Sequence, residues 1–93
     1  MFYTYIVMNP RRTTIYIGVT NNLRVRLAEH YMDRGSKNHF ASRYYCYELV
    51  HFESFTYILD AINREKQLKG WRRSKKIDLI QLNNPAMKKL VPP

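Results

Sequence analysis

Two runs dense in tyrosine and branched apolar residues, Phe2 to Met8 and Thr13 to Val19, stand four residues apart across Asn9-Pro10-Arg11-Arg12. Rings and β-branched side chains suit a pleated, half-buried surface, and Asn-Pro marks a turn. The pair predicts an N-terminal β-hairpin.

From Asn21 the period changes. Asn21 or Asn22 is suited to cap a helix over about Asn22 to Arg34, with Leu23, Leu27, His30, Tyr31 and Arg34 on one side and Gly35 placed to end it. Ser36 to Ser42 is polar and basic and predicts a mobile loop, after which Tyr44 to Phe52 is aromatic and β-branched enough to complete a three-stranded sheet. Ser54 or Thr56 is suited to cap a second helix through Leu68, with Ile58, Ala61, Ile62 and Leu68 as its core stripe and Gly70 as its stop. A third helix begins at Ser74, packs Ile77, Leu79 and Ile80, and ends at Asn83-Asn84-Pro85. The expected order is ββαβαα, an α/β (α+β) arrangement with a mainly antiparallel sheet flanked by helices. Pro92 and Pro93 read as a frayed end.

Ninety-three residues, 45% of them apolar, supply one core and are too few for two, so the whole of 1–93 reads as a single domain with its core in about 2–85. Sixteen Lys and Arg against seven Asp and Glu leave a net charge of +9, which points to polyanionic partners. No apolar stretch approaches the ~20 residues of a membrane span. The apolar start is short, rich in tyrosine and without a preceding basic region, so a secretory signal is not expected and a cytoplasmic location is. Cys46 is the only cysteine, which excludes an internal disulfide and a multi-cysteine zinc site; a buried, inert thiol is expected.

A few residues fit structure alone poorly. Glu65 lies one heptad after Ile58, four residues after Ala61 and three before Leu68, so a carboxylate occupies the apolar stripe of the second helix. Taking it out of water costs several kcal/mol without a partner, which leaves two readings open: an ion pair with Arg24, Arg26 or Arg43, or a metal ligand at a cleft. Arg26 and His30 are an (i, i+4) pair beside Leu23 and Leu27 and are able to act on one target. Tyr3 and Tyr5 share a face of the first strand, and Tyr16 precedes Gly18, where the backbone allows close approach.

Tyr3-Thr4-Tyr5, then Tyr16-Ile17-Gly18 and Asn-Asn-Leu-Arg-Val-Arg-Leu-Ala-Glu-His, resemble the paired motifs and first helix of the GIY-YIG nuclease superfamily, in its small stand-alone branch. The same fold serves the N-terminal nuclease domain of the excinuclease incision subunit. Tyr3 and Thr4 stand where the superfamily's first motif has Gly and Ile, while Tyr5 is kept. The resemblance assigns the catalytic set to Tyr5, Tyr16, Arg26, His30 and Glu65. It makes Glu65, within Ile62-Asn63-Arg64-Glu65-Lys66-Gln67-Leu68, the match to the metal-ligand carboxylate. Val19 stands where some members carry a lysine that activates the second tyrosine, which leaves His30 as the expected route for that proton.

The implied chemistry is Mg²⁺- or Mn²⁺-dependent endonuclease hydrolysis of a phosphodiester, in DNA repair, recombination or processing. Tyr16 would accept the proton of the attacking water, Tyr5 would orient water or phosphate, Arg26 would stabilise the transition state and Glu65 would hold the ion. Arg64, Lys66, Lys69, Arg72, Arg73, Lys75 and Lys76, with Trp71 among them, read as a phosphate-tracking surface, DNA being favoured over RNA. No base-reading motif is present, so specificity is expected to be weak or supplied by a protein partner. The alternative is a non-catalytic nucleic-acid-binding or adaptor module that keeps the fold.

Overall fold

The computed structural model describes residues 1–93. Its elements are β1 (Phe2–Met8), β2 (Ile15–Thr20), α1 (Leu23–Met32), α2 (Phe40–Arg43), β3 (Glu48–Phe55), α3 (Ile58–Lys69) and α4 (Arg73–Asn83). The sheet order is β2-β1-β3 and both pairings are antiparallel. This is the expected ββαβαα order, with the single helical turn α2 added inside the segment read as a loop.

Strand β1 is the middle strand, and from Thr4 to Met8 every residue is buried. Side chains alternate across a strand, so the run feeds two cores. Tyr5 and Val7 point to one face and pack with Leu23, Ala41, Cys46 and Leu49, which brings α1 and α2 over that side. Ile6 and Met8 point to the other and pack with Ile17, Val50, Leu68 and Ile80, which places α3 and α4 there. A bulge opposite Ile6 and Val7 inserts Val50 into β3, so Val50 reaches the second core while Leu49 stays in the first.

Buried polar groups tie the layers together. The Thr4 hydroxyl donates to the Ala61 carbonyl at 2.7 Å and pins α3 to the central strand. Glu53 on β3 accepts a two-armed contact from Arg64, at 2.8 and 3.1 Å, and bonds His51 at 2.8 Å. Burial alone would raise the Glu53 pKa, yet the Arg64 and His51 contacts win and hold it below the ordinary carboxylate value.

Several boundaries depart from the expected ones for identifiable reasons. Asn22 does cap α1, its side chain accepting from the Val25 amide at 3.1 Å. Neither Ser54 nor Thr56 caps α3: β3 runs on to Phe55 with Ser54 paired to Tyr3, and Tyr57 takes the cap position without a side-chain bond. Ile58 is consequently exposed rather than in the core. Strand β3 begins at Glu48, later than expected, because Tyr45 adopts a left-handed φ of 58° that turns the chain after α2. Cys46 is buried in the first core, and burial pushes its thiol up to about 11. The carboxy-terminal segment is docked, not frayed: the Leu90 amide donates to the Leu49 carbonyl at 2.7 Å, the Met87 carbonyl accepts from Arg12 at 2.7 Å, and Leu90 packs on the first core.

Asn84 makes that docking possible. Its buried amide donates to the Val50 and Lys88 carbonyls at 3.1 and 2.8 Å and accepts from the Lys88 amide at 3.0 Å. Asn84→Ala leaves these groups without partners and is expected to cost about 2 kcal/mol in urea unfolding. A loss below about 0.5 kcal/mol, within the range of ordinary surface substitutions, would contradict the role given to this amide.

Candidate active site

Tyr5 is the middle of the site. It lies directly opposite Gly18 in the β1–β2 register, and the ring occupies the space a side chain at 18 would fill: an added Cβ would sit 2.5 Å from the Tyr5 hydroxyl and 2.7 Å from its ring carbon. Gly18 is therefore needed for room and not for a special backbone angle. Across it, the Tyr5 hydroxyl reaches the His30 Nε2 at 2.8 Å.

His30, on the buried side of α1, is gripped by both tyrosines. The Tyr5 and Tyr16 rings meet its imidazole edge to face, with centroids 5.7 and 5.6 Å away. The hydrogen bond goes to Tyr5 and not to Tyr16, so the direct Tyr16-to-His30 proton path expected from the sequence is not what the resting geometry provides. One turn earlier, Arg26 sits beside the Tyr5 hydroxyl and pairs with Glu29 at 3.1 Å.

The electrostatics follow from burial and one guanidinium. Burial pushes the Tyr5 phenol up to about 12, with Arg26 restraining the rise. Burial, then the Arg26 charge, push His30 down to about 4. At neutral pH the pair is a protonated phenol and an uncharged imidazole. The phenol keeps its proton and the uncharged imidazole offers a ring nitrogen as acceptor, so the Tyr5 O–H is able to donate to Nε2 across the 2.8 Å contact.

Above this pair opens a cleft of about 430 Å³ lined by Tyr16, Arg26, His30, Asp33, His39, Phe40, Ala41 and Ser42. The structure thus gathers Tyr5, Tyr16, Arg26 and His30. Glu65 comes from α3, which covers the opposite face of the sheet but also packs on the edge strand β2. It is not part of the cleft wall, yet its negative charge adds to the upward push on Tyr5. Its ion pair is with Lys69, one turn on at 3.4 Å, and not with Arg24, Arg26 or Arg43.

No three His, Cys, Asp or Glu side chains converge anywhere in the chain, so no all-protein cation cage exists. The donor set fits a hard divalent ion held by one carboxylate, with water and substrate oxygens completing an octahedron. Glu65 is 22% exposed, and its one partner is an exposed lysine that is free to swing away.

The residues of the basic stretch differ in their engagement. Arg64 is engaged with Glu53 and Gln67 and lies 5.2 Å from the Trp71 ring, while Lys75 stands 4.1 Å over the same ring. Lys69 holds Glu65, and Arg73 donates to the Arg12 carbonyl at 3.4 Å. Lys66, Lys69, Arg72, Arg73 and Lys75 are exposed and Lys76 is half-buried. Asp33, His39 and Phe40 line the cleft without having been singled out in the sequence; the one signal was an aromatic residue inside a polar segment.

Comparison with known proteins bears directly on this constellation. The family model described as GIY-YIG catalytic domain matches residues 1–78. A UPF0213 protein of Pediococcus pentosaceus is 36% identical over 96% of this chain and 90% of its own length. A UPF0213 protein of Natronomonas pharaonis is 36% identical over 84% of this chain and 88% of its own. The solution NMR structure of the UPF0213 protein BH0048 from Bacillus halodurans superposes with a TM-score of 0.57 at 25% identity, covering 92% of this chain and 89% of that one.

Two expectations follow from the geometry. Between the ordinary 6.5 and the depressed value of about 4, the unfolded chain binds a proton at His30 that the folded chain does not. Stability from this group is complete above about pH 6.5 and falls as the pH drops towards 4, by roughly 3 kcal/mol in all. His30→Gln should flatten that part of the profile in urea titrations at stepped pH; an unchanged slope would show that the imidazole is not held uncharged. Gly18→Ala should displace the Tyr5 ring, seen as shifted Tyr5 and His30 NMR resonances, and an undisturbed spectrum would contradict the packing described.

Proposed function

This chain belongs to the GIY-YIG catalytic domain family, a nuclease family whose substrates are nucleic acids, and from that premise we propose that it hydrolyses nucleic-acid phosphodiester bonds as a divalent-metal-dependent endonuclease. The observation that carries the reading is the convergence on one cleft of Tyr16, Arg26 and His30 over the buried Tyr5.

Each group has a task its surroundings suit. Arg26 lines the cleft and offers a planar, permanently charged fork for two non-bridging phosphate oxygens. Tyr16 presents its ring at the cleft wall and is the phenol that meets the attacking water. Tyr5, buried and bonded to His30, is the inner link, while burial and the Arg26 charge keep the imidazole uncharged. This departs from the division of labour inferred from the sequence, since the His30 hydrogen bond goes to Tyr5 while Tyr16 meets the imidazole only ring to ring. Glu65 would hold Mg²⁺ or Mn²⁺, whose charge would offset that building up on the phosphate and the leaving alkoxide.

The cations along α3, α4 and the turn between them, Lys66, Lys69, Arg72, Arg73, Lys75 and Lys76, carry the non-specific attraction to a phosphate backbone, DNA being preferred as substrate. No helix is long and apolar enough to cross a membrane. A role in DNA repair, recombination or processing fits a catalytic domain with no base-reading motif, which would take its targeting from a protein partner.

Incubation of the purified chain with supercoiled plasmid and branched DNA in Mg²⁺ or Mn²⁺ is expected to give nicks. Glu65→Ala should abolish them while salt-sensitive binding persists, and Arg26→Ala should lower the rate by about 10² or more. Cutting by Glu65→Ala at the parental rate would overturn the metal assignment. Salt-sensitive binding by the parent chain, with no cutting under any of these conditions, would favour the non-catalytic binding module.

A further inference from the structure

Phe40, from the segment read from sequence as a loop, lies between Tyr16 of the cleft wall and Tyr44 just after α2, so three aromatic rings follow one another beside the cleft. Phe40 stacks on Tyr16 with ring centroids 6.4 Å apart and planes 25° from parallel, and meets Tyr44 at 4.8 Å with planes 48° apart. Phe40 and Tyr44 are nevertheless 53% and 45% exposed. Side by side they leave a contiguous aromatic surface beside the cleft, the kind of patch that marks a binding site more than a lone exposed ring does.

The turn itself is well held. The Gly35 amide donates to the Ser42 carbonyl at 2.8 Å, the Cys46 amide donates to the Ala41 carbonyl at 2.8 Å, and Ala41 and Ser42 are buried. The rings therefore stand on a rigid support continuous with the wall that carries Arg26 and Tyr16. Exposed Lys37, His39 and Arg43 lie on the same segment, and Asp33 is the single carboxylate of the cleft wall.

Resting on the hydrolytic reading above, we propose that Phe40 and Tyr44 form a stacking platform for an unpaired nucleobase next to the scissile phosphate, so that the site takes single-stranded or locally unpaired nucleic acid in preference to continuous duplex. A base in a duplex already has both faces covered by its neighbours, whereas a base released from the stack offers a π-face to Phe40 while its phosphate reaches Arg26. Cations along the turn favour an anionic strand over an apolar peptide on the same rings. Any base suits such a surface, which agrees with the lack of base-edge readers in the chain.

The test reads binding apart from hydrolysis. Fluorescence anisotropy in EDTA compares the full chain on a twelve-nucleotide single strand, on an abasic strand of equal length and equal phosphate charge, and on the matching duplex. The base-bearing strand is expected to bind about tenfold more tightly than the abasic one. Phe40→Ala should erase most of that ratio, Phe40→Trp should keep it, and duplex affinity should change little in either variant. Tyr44→Ala gives a second, independent reading of the platform. Equal affinity for base-bearing and abasic strands, or an unchanged ratio in both alanine variants, would overturn the proposal. A chain that distinguishes bases but never cuts keeps the platform and loses the nuclease reading; a chain that cuts and ignores bases does the reverse.

Discussion

The site depends on one hydrogen bond made in a space that one missing side chain leaves open. Tyr5 crosses over Gly18 and meets His30 at 2.8 Å, and both groups are almost wholly buried. An unmade bond there would leave a phenol and an imidazole in an apolar layer, at a cost of the order of a few kcal/mol. The same contact joins the central strand to α1, so the fold and the placing of Arg26 rest on it together. Removing water from the pair also decides its charge state: the phenol keeps its proton and the imidazole takes none.

Because β1 is buried on both faces, the sheet acts as a partition between two cores. The cleft with Arg26 and Tyr16 lies on the α1 side, while Glu65 belongs to a helix of the other side. α3 packs beneath both the central strand and the edge strand β2. An ion held by Glu65 alone would take its remaining ligands from substrate and water, since no three acidic or imidazole side chains converge in the chain.

Much of this was legible locally. The alternating runs of β1 and β2, the Asn22 cap and the stop at Gly70 are short-range signals, and each is realised. Glu65 stood out because a charge on an apolar stripe violates helical patterning, and Arg26 and His30 because they share a face. What stayed hidden involves partners distant in sequence. The stretch from 36 to 44 has no period, so the turn that lifts Phe40 onto Tyr16 has no local signature. Asn84 looks like an ordinary helix end, yet its amide serves Val50 across the sheet. Leu90 adds to the free edge of β3 although two prolines follow it, because an open strand edge offers hydrogen bonds that no local pattern reports. Arg64 sits in a basic run whose solvent face is real, but Glu53 on β3 claims its guanidinium.

The central claim is that Glu65 and the Tyr5–His30 pair share one cation-binding edge. Titrating Mn²⁺ into the isotope-labelled chain and following paramagnetic line broadening by NMR tests it most directly. The account predicts that Glu65, Gly18, Tyr5 and Arg26 broaden first and that Glu65→Gln removes the effect. Early broadening confined to the exposed carboxylates Glu29 and Asp33, with Glu65 and Tyr5 untouched, would contradict it.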